Sequence, residues 1–307
     1  MERPELSQLV IAPAETDADL EALIAVRKIV TPRARPIVAN LRHALESSTE
    51  GLTFIVARLG AEPVACGFVE GPPEDFAPAD IAVVPDRRRM GIGSAVLADI
   101  SERARALGKE ALQLEVKKSD ESSRSFLERR GFRKAGGEEA VSLRLGAPQP
   151  PSVPPEGIRL ASRRERPDVV EAMYEVYVEC TQDVPGSGTP MTLETWRAID
   201  IDRPSRSPDL AFVAFDGDEV VGYAVADIFG DEGYHGFTAV KRAWRRRGVA
   251  TALKRAQIAA ATDLGLKRLA TGSEERNLPM RTLNAKLGYE PDPELSVVVL
   301  RGPVQTL

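Results

Sequence analysis

DRRRMGIGSAVL, Asp86 to Leu97, and AWRRRGVATALK, Ala243 to Lys254, are the two stretches on which the reading of this chain turns. Shifting the first half by 157 residues lays one on the other, so that Arg88 meets Arg245, Gly91 meets Gly248 and Gly93 meets Ala250. The same shift pairs Gly108 with Gly265, and Gly131–Phe132 with Gly288–Tyr289. It also aligns AVSLR (Ala140 to Arg144) with VVVLR (Val297 to Arg301), with no insertion anywhere between. A lone glycine motif recurs by chance. An ordered series at fixed spacing marks an internal duplication.

Around the motif, each copy runs through the same elements. A strand-like run opens it (LVIA at Leu9, GIRLA at Gly157), and a helical pattern follows. In the second copy Pro167 starts that helix, and Val169, Met173, Val176, Tyr177 and Cys180 form its apolar stripe. Two short apolar strands around a glycine-containing turn come next, FIVARLGAEPVACGFVE and FVAFDGDEVVGYAVADI. A strand leads into the arginine–glycine loop. A helix leaves it, with inner positions Val96, Ile100, Ala104 and Leu107, or Leu253, Ala256, Ala260 and Leu264. Both helices end at a glycine, Gly108 or Gly265. GAPQPPSVPPEG, Gly146 to Gly157, cuts the chain nearly in half with prolines that neither pair in a sheet nor continue a helix. The expected organisation is therefore a first domain over residues 1–146, a linker over 147–157 and a second domain over 158–307.

At 307 residues, two domains of this size each bury a core. A net charge of −5 gives no long-range attraction to nucleic acid or anionic lipid, so neither is expected as a partner. No apolar run approaches a membrane span, and the first residues lack the basic and apolar regions of a signal peptide. Cys66 and Cys180 make neither a disulfide framework nor a zinc cluster, so a cytoplasmic location and no bound metal are expected.

A strand, then Arg-x-x-Gly-x-Gly/Ala, then a helix is an anion-binding device. Gly91 and Gly93, or Gly248 and Ala250, keep bulk away so that backbone N–H groups converge on one oxyanion cluster at a helix start. Arginines 87–89 and 245–247 supply charge-assisted bonds to phosphate. A solvated basic face is the bland reading of one triplet, and nucleic-acid binding lacks a wider basic patch or an aromatic platform. No Gly-Lys-Ser/Thr follows, as a P-loop requires.

This pattern resembles the central motif of the GNAT superfamily of N-acetyltransferases, and the resemblance covers both halves. It implies a tandem α/β fold, each domain a mixed, mainly antiparallel sheet flanked by helices, with acetyl-CoA as cosubstrate. It implies a cradle for the coenzyme pyrophosphate made of Arg88, Arg89, Met90, Gly91, Ile92, Gly93 and Ser94 in the first copy. In the second copy the matching set is Arg245, Arg246, Arg247, Gly248, Val249, Ala250 and Thr251. It implies that the strand before the loop parts from the next one, and that the pantetheine arm bonds main chain around Val83 and Val240. An Asn that contacts the coenzyme arm in the family matches Asn277 here, which reads equally as a helix cap.

The copies differ where chemistry is expected. The position of the family's tyrosine proton donor is held by Leu127 and Asn284, neither of them a general acid. Counting back from Arg245 to the place where some members carry a general base reaches Tyr234; the first-copy counterpart is Ala77. Tyr234 and Gly236 should share one strand face and His235 the other, leaving Tyr234 through water, His235, or a merely structural pair as the readings. Glu171, Glu175 and Glu179 line one helix face, either walling a cationic acceptor or solvated. The resulting expectation is acetyl transfer to an amine of a small molecule or peptide, with Tyr234, His235 and Asn284 as the catalytic set in the second domain. The alternatives are a non-catalytic acyl-CoA sensor, or two active sites with different acceptors. The oligomeric state is left open.

Overall fold

The computed structural model describes residues 6–33, 36–48, 51–72, 75–146, 152–183 and 189–305. The linker residues 147–151 and the 184–188 part of the loop after the glutamate helix lie outside that description.

The chain forms two compact units, Met1–Gly137 with Val297–Leu307, and Glu138–Ser296. The first holds β1 (Leu9–Pro13), α1 (Asp17–Val30), α2 (Val38–Ser47), β2 (Thr53–Leu59), β3 (Glu62–Val69), β4 (Phe76–Val83), α3 (Ile92–Ala106), β5 (Ala111–Lys117) and α4 (Glu121–Glu128). β6 (Arg133–Arg144) carries the chain into the second unit. There follow β7 (Ile158–Ser162), α5 (Val170–Thr181), α6 (Leu193–Asp200), β8 (Phe212–Asp216), β9 (Glu219–Phe229), β10 (Glu232–Val240) and α7 (Val249–Asp263). β11 (Arg268–Glu274), α8 (Leu278–Lys286) and β12 (Glu290–Pro291) complete that unit, and β13 (Val297–Pro303) returns to the first.

Both sheets have one plan. In the first unit the order is β1-β2-β3-β4-β5-β13, antiparallel except for the parallel β4–β5 pair. In the second it is β7-β8-β9-β10-β11-β6, antiparallel except for β10–β11, with β12 also on β6. The two strands that the duplication aligns, AVSLR and VVVLR, are therefore exchanged. Val141 pairs with Thr271 in the second unit, and Val299 with Glu115 in the first. This departs from the contiguous division at residues 146 and 158. The physical reason is that β5 and β11 each expose an open edge, and strands descended from one ancestor satisfy either edge.

The expected core residues account for the packing. Val96, Ile100 and Ala104 of α3 meet Ile55, Leu112, Phe132 and Leu300 in one continuous apolar cluster. The sheet of the second unit is covered on one face by α5 and α6 and on the other by α7. Met173, Tyr177, Trp196, Tyr223 and Phe237 cluster on the first face; Val249 and Leu253 meet Val240 and Ala224 on the second. Leu264 departs from its expected inner position: α7 ends at Asp263, and Leu264 is its 49% exposed cap. Among the described residues no helix is long and apolar enough to cross a membrane.

Candidate active site

In each unit the strand before the loop ends in a carbonyl that the first motif arginine claims. Arg88 Nε donates to Val83 O at 3.1 Å, and Arg245 Nε donates to Val240 O at 2.9 Å. These two arginines hold the loop to the strand end rather than standing free for phosphate. Asp183 reinforces the second loop, pairing with Arg245 at 2.7 Å and Arg242 at 2.8 Å. Hydrogen bonds from those two arginines hold the Asp183 carboxyl down at about 2. Glu179 accepts the Arg242 backbone N–H at 2.6 Å, so the end of the glutamate helix braces this loop.

The loop then makes the same turn in both copies. Arg89 and Arg246 sit at φ 65° and 60°, and Gly91 and Gly248 follow at φ 87° and 91°. A left-handed arginine costs about 1 kcal/mol relative to a right-handed one. Finding it twice at one position shows a conformation imposed by the whole loop. Such alternation turns successive N–H groups towards one side. Neither α3 nor α7 has a side-chain cap at its start, so Ile92 and Gly93, and Val249 and Ala250, offer helix N–H groups and a partial positive charge. Arg89, Arg246 and Arg247 are exposed at the loop, the last stacked on Trp244 at 4.9 Å. Met90 packs on the first core, and Thr251 lies in the first turn of α7. Ser94 Oγ accepts from Arg130 at 2.9 Å, an extra cation at the first cradle that the motif alone did not reveal. These donors fit a pyrophosphate-bearing coenzyme.

Beside each cradle the sheet opens. β4 and β5 pair from Phe76↔Ala111 to Ala79↔Leu114 and then part; β10 and β11 part after Tyr234↔Ala270. Beyond that point Ile81 to Val83 and Thr238 to Val240 keep partners on β3 and β9 only. An extended, amide-bearing arm can enter such a gap as a short added strand. A register shift between His235 and Thr238 marks the opening in the second unit. Asn277 Oδ1 accepts from Met280 N at 3.3 Å, and Asp120 caps α4 in the same way, so both serve as helix caps.

Tyr234 and His235 point to opposite faces, as the alternation requires. His235 lies under α7, fully buried. Its Nδ1 is 3.0 Å from Gln257 Oε1 and its Nε2 2.5 Å from Tyr289 Oη. Gln257 Nε2 donates to Leu210 O at 2.7 Å, which leaves Oε1 as the acceptor; the His235 Nδ1–H donates and Nε2 accepts from Tyr289. Burial, with the nearby Lys254 charge, pushes the His235 pKa well below its ordinary value. This histidine is a neutral interior residue and does not meet Tyr234. Asn284 is also buried, with neither amide atom hydrogen-bonded.

Tyr234 faces the α5–α6 side. A Cβ placed on Gly272 of β11 would lie 3.1 Å from Tyr234 Oη and would collide with Glu138 Oε2. Glu138, on β6, stands directly opposite Glu274 of β11. Burial, and then the charge of Glu274, raise the Glu138 pKa above its ordinary value. On the same face Asp227 is the cross-strand neighbour of Tyr234 and accepts from Ser205 at 2.7 Å. Arg206, its side chain 2% exposed, lies 3.4 Å from Asp227 and 3.6 Å from Asp200, over Gly236. Its Nε and Nη1 make no hydrogen bond. The meeting of Glu138 with Glu274 was hidden in the sequence because a contiguous division assigns Glu138 to the other domain, and nothing local marks Arg206.

Two units, each with an uncapped helix start under a left-handed arginine–glycine loop and a gap between parallel strands, define the class: tandem α/β proteins with an anion-receptive loop beside an open sheet in each unit. The model of the acetyltransferase (GNAT) family matches residues 24–132 and 170–289. The chain belongs to that family. It is 23% identical over 286 residues to a mycothiol acetyltransferase of Catenulispora acidiphila, covering 85% of this chain and 86% of that protein. Its fold is similar to a tandem GNAT protein from the clavulanic acid biosynthesis pathway, with a TM-score of 0.77, 21% identity, and 97% and 99% of the two chains covered. It is also similar to a GCN5-related N-acetyltransferase from Sphaerobacter thermophilus, with a TM-score of 0.75, 20% identity, and 97% and 96% covered.

Proposed function

We propose that this protein transfers an acetyl group from acetyl-CoA to an amine of a small molecule or peptide, and that the second unit performs the turnover. The observation that carries this reading is the contrast between two otherwise matching clefts. In the second unit Tyr234, Glu138 and Glu274 stand on the face opposite α7. In the first, Ala77 is buried in place of Tyr234, and Asp80 is held by Arg27 of α1. An acyltransferase must hold thioester and neutral amine in contact, polarise the thioester carbonyl, and accept a proton. Main-chain groups near Val240 are the candidates for the carbonyl. The acidic face suits an ammonium acceptor.

The first unit is proposed to bind the coenzyme without turnover. Two sites with different acceptors remain the rival within enzymes. A non-catalytic acyl-CoA sensor is favoured by Leu127 and Asn284, which leave both units without the family's tyrosine donor. Free coenzyme thiolate is a tolerable leaving group, so transfer does not require that donor. The proposed location is the cytoplasm, on the free, buried thiols of Cys66 and Cys180. The test is release of free CoA thiol when the full chain meets acetyl-CoA and a panel of amines. Acetyl-CoA binding with no thiol release from any amine would favour the sensor.

A further inference from the structure

We propose that Glu138, delivered to the second unit by the strand that ends the first half of the chain, takes the proton from the acceptor amine. This rests on the acyltransferase reading above and names the group that reading lacks.

Its place is the first support. The phosphate cradle opens α7, and α7 covers one face of the sheet, where His235 also lies. An amine must reach the thioester from the face the coenzyme leaves open, which is the face of Tyr234. Glu138 sits on that face, where β10 and β11 part. The absence of a side chain at Gly272 makes the room: the Glu138 carboxylate and the Tyr234 hydroxyl gather over its α-carbon. Arg206 is an independent sign that a ligand belongs here. Its side chain is 98% buried, yet Nε and Nη1 lack acceptors while it lies over Gly236, on the same face as Tyr234.

The comparison of units is the second support. The 157-residue shift makes Lys117 the counterpart of Glu274. In the first unit Lys117 faces Val297, where in the second Glu274 faces Glu138. The exchanged strand therefore brings a carboxylate to one cleft and a valine to the other. Burial and the neighbouring Glu274 also shift Glu138 towards neutral pH, where a carboxylate is a more effective base.

The ammonium gives one proton to Glu138, directly or through the Tyr234 hydroxyl, and the free amine attacks the thioester carbonyl. The C–N bond forms and the C–S bond breaks. The second amine proton leaves with sulfur as the CoA thiol, and Glu138 returns its proton to water.

The experiment uses the full chain and an amine shown to be acetylated by it. Glu138→Gln should lower kcat/KM by about 100-fold or more, with acetyl-CoA affinity by calorimetry unchanged. Glu138→Asp should retain part of the rate. Among the described residues the titratable groups placed beside Glu138 are Tyr234 and Glu274, the latter paired with Arg276 at 2.7 Å; Glu274→Gln should move the acid limb of the pH–rate profile to lower pH. The 13C carboxyl resonance of Glu138 should titrate at the pH of that limb, above the usual value of about 4.3. A Glu138→Gln protein with the wild-type rate and limb overturns the proposal while leaving the acyltransferase reading intact. If Glu138→Gln loses acetyl-CoA binding and so its fold, an unmoved limb in Glu274→Gln overturns it instead. A wild-type chain that binds acetyl-CoA but acetylates no amine overturns both.

Discussion

Gly248 holds φ at 91° with Pro155 3.5 Å from where a side chain would begin. Any L-residue there is strained by about 1 kcal/mol or more, and a large one also fills the oxyanion seat. Gly248→Trp should abolish the acetyl-CoA heat signal of the second unit. If the first unit binds as its matching loop implies, a signal lost on Gly91→Trp should remain. Unchanged affinity in folded Gly248→Trp would dismiss this loop as the cradle. A second pair of residues separates structure from chemistry. His235→Ala leaves Tyr289 Oη and Gln257 Oε1 without their partner, a loss on the order of 2–4 kcal/mol in unfolding free energy. Tyr234→Phe should slow turnover and leave the denaturation midpoint nearly in place. The opposite pattern would return His235 to the reaction.

Among the elements, α3 and α7 show how one helix serves two different interiors. The 157-residue shift sets Leu97 against Lys254 and Ile100 against Gln257. Leu97 and Ile100 pack into an apolar core; Lys254 is 1% exposed and Gln257 is fully buried. Their neighbours change in the same sense, Phe132 to Tyr289 and Pro78 to His235, so a linked polar group replaces oil. Lys254 is the costly member. Among the described residues no anion pairs with it, its Nζ lies 5.6 Å from the Tyr289 ring, and burial lowers its pKa to about 7. In the unfolded chain a lysine titrates near 10.4. Between those values the unfolded state binds a proton that the native state does not, so stability rises with pH through this window. Lys254→Leu should therefore stabilise the protein at pH 7 by on the order of 4 kcal/mol. By pH 10 the gain should fall below about 1 kcal/mol. Guanidinium unfolding at the two pH values measures it. A gain independent of pH would mean that the ammonium is already solvated in the native state.

For the molecule as a whole, the exchange of β6 and β13 makes the halves mutually dependent. Cutting the chain in its linker gives 1–146, which lacks the strand that pairs with β5, and 158–307, which lacks the strand that pairs with β11. Leu300 is fully buried, and Gly302 packs so closely on Phe132 that an added Cβ would lie 2.5 Å from its ring. Removing β13 exposes that core and an open edge together. Either fragment alone should aggregate or unfold without cooperativity, and co-expression should recover soluble protein. A monomeric 1–146 fragment with the melting temperature of the full chain would contradict the exchange. Truncation at Ser296 is the smaller version of the test and should destabilise the first unit before the second.

The duplication, the order of strands and helices, and the turn of both arginine–glycine loops were legible in the sequence, because each depends on local chemistry. A glycine required at positive φ, an uncapped helix start and an apolar stripe at helical spacing are properties of a few consecutive residues. Tyr234 and His235 were also placed on opposite faces correctly, since strand alternation is local. Which side chains gather on each face was not legible, and neither was His235's bond to Gln257, 22 residues away. The partner of β11 was hidden for the same reason. AVSLR and VVVLR are alike, and sequence proximity favours the wrong pairing. Only the tertiary structure brings Glu138 opposite Glu274, because strand pairing is decided by which open edge lies within reach and not by order along the chain.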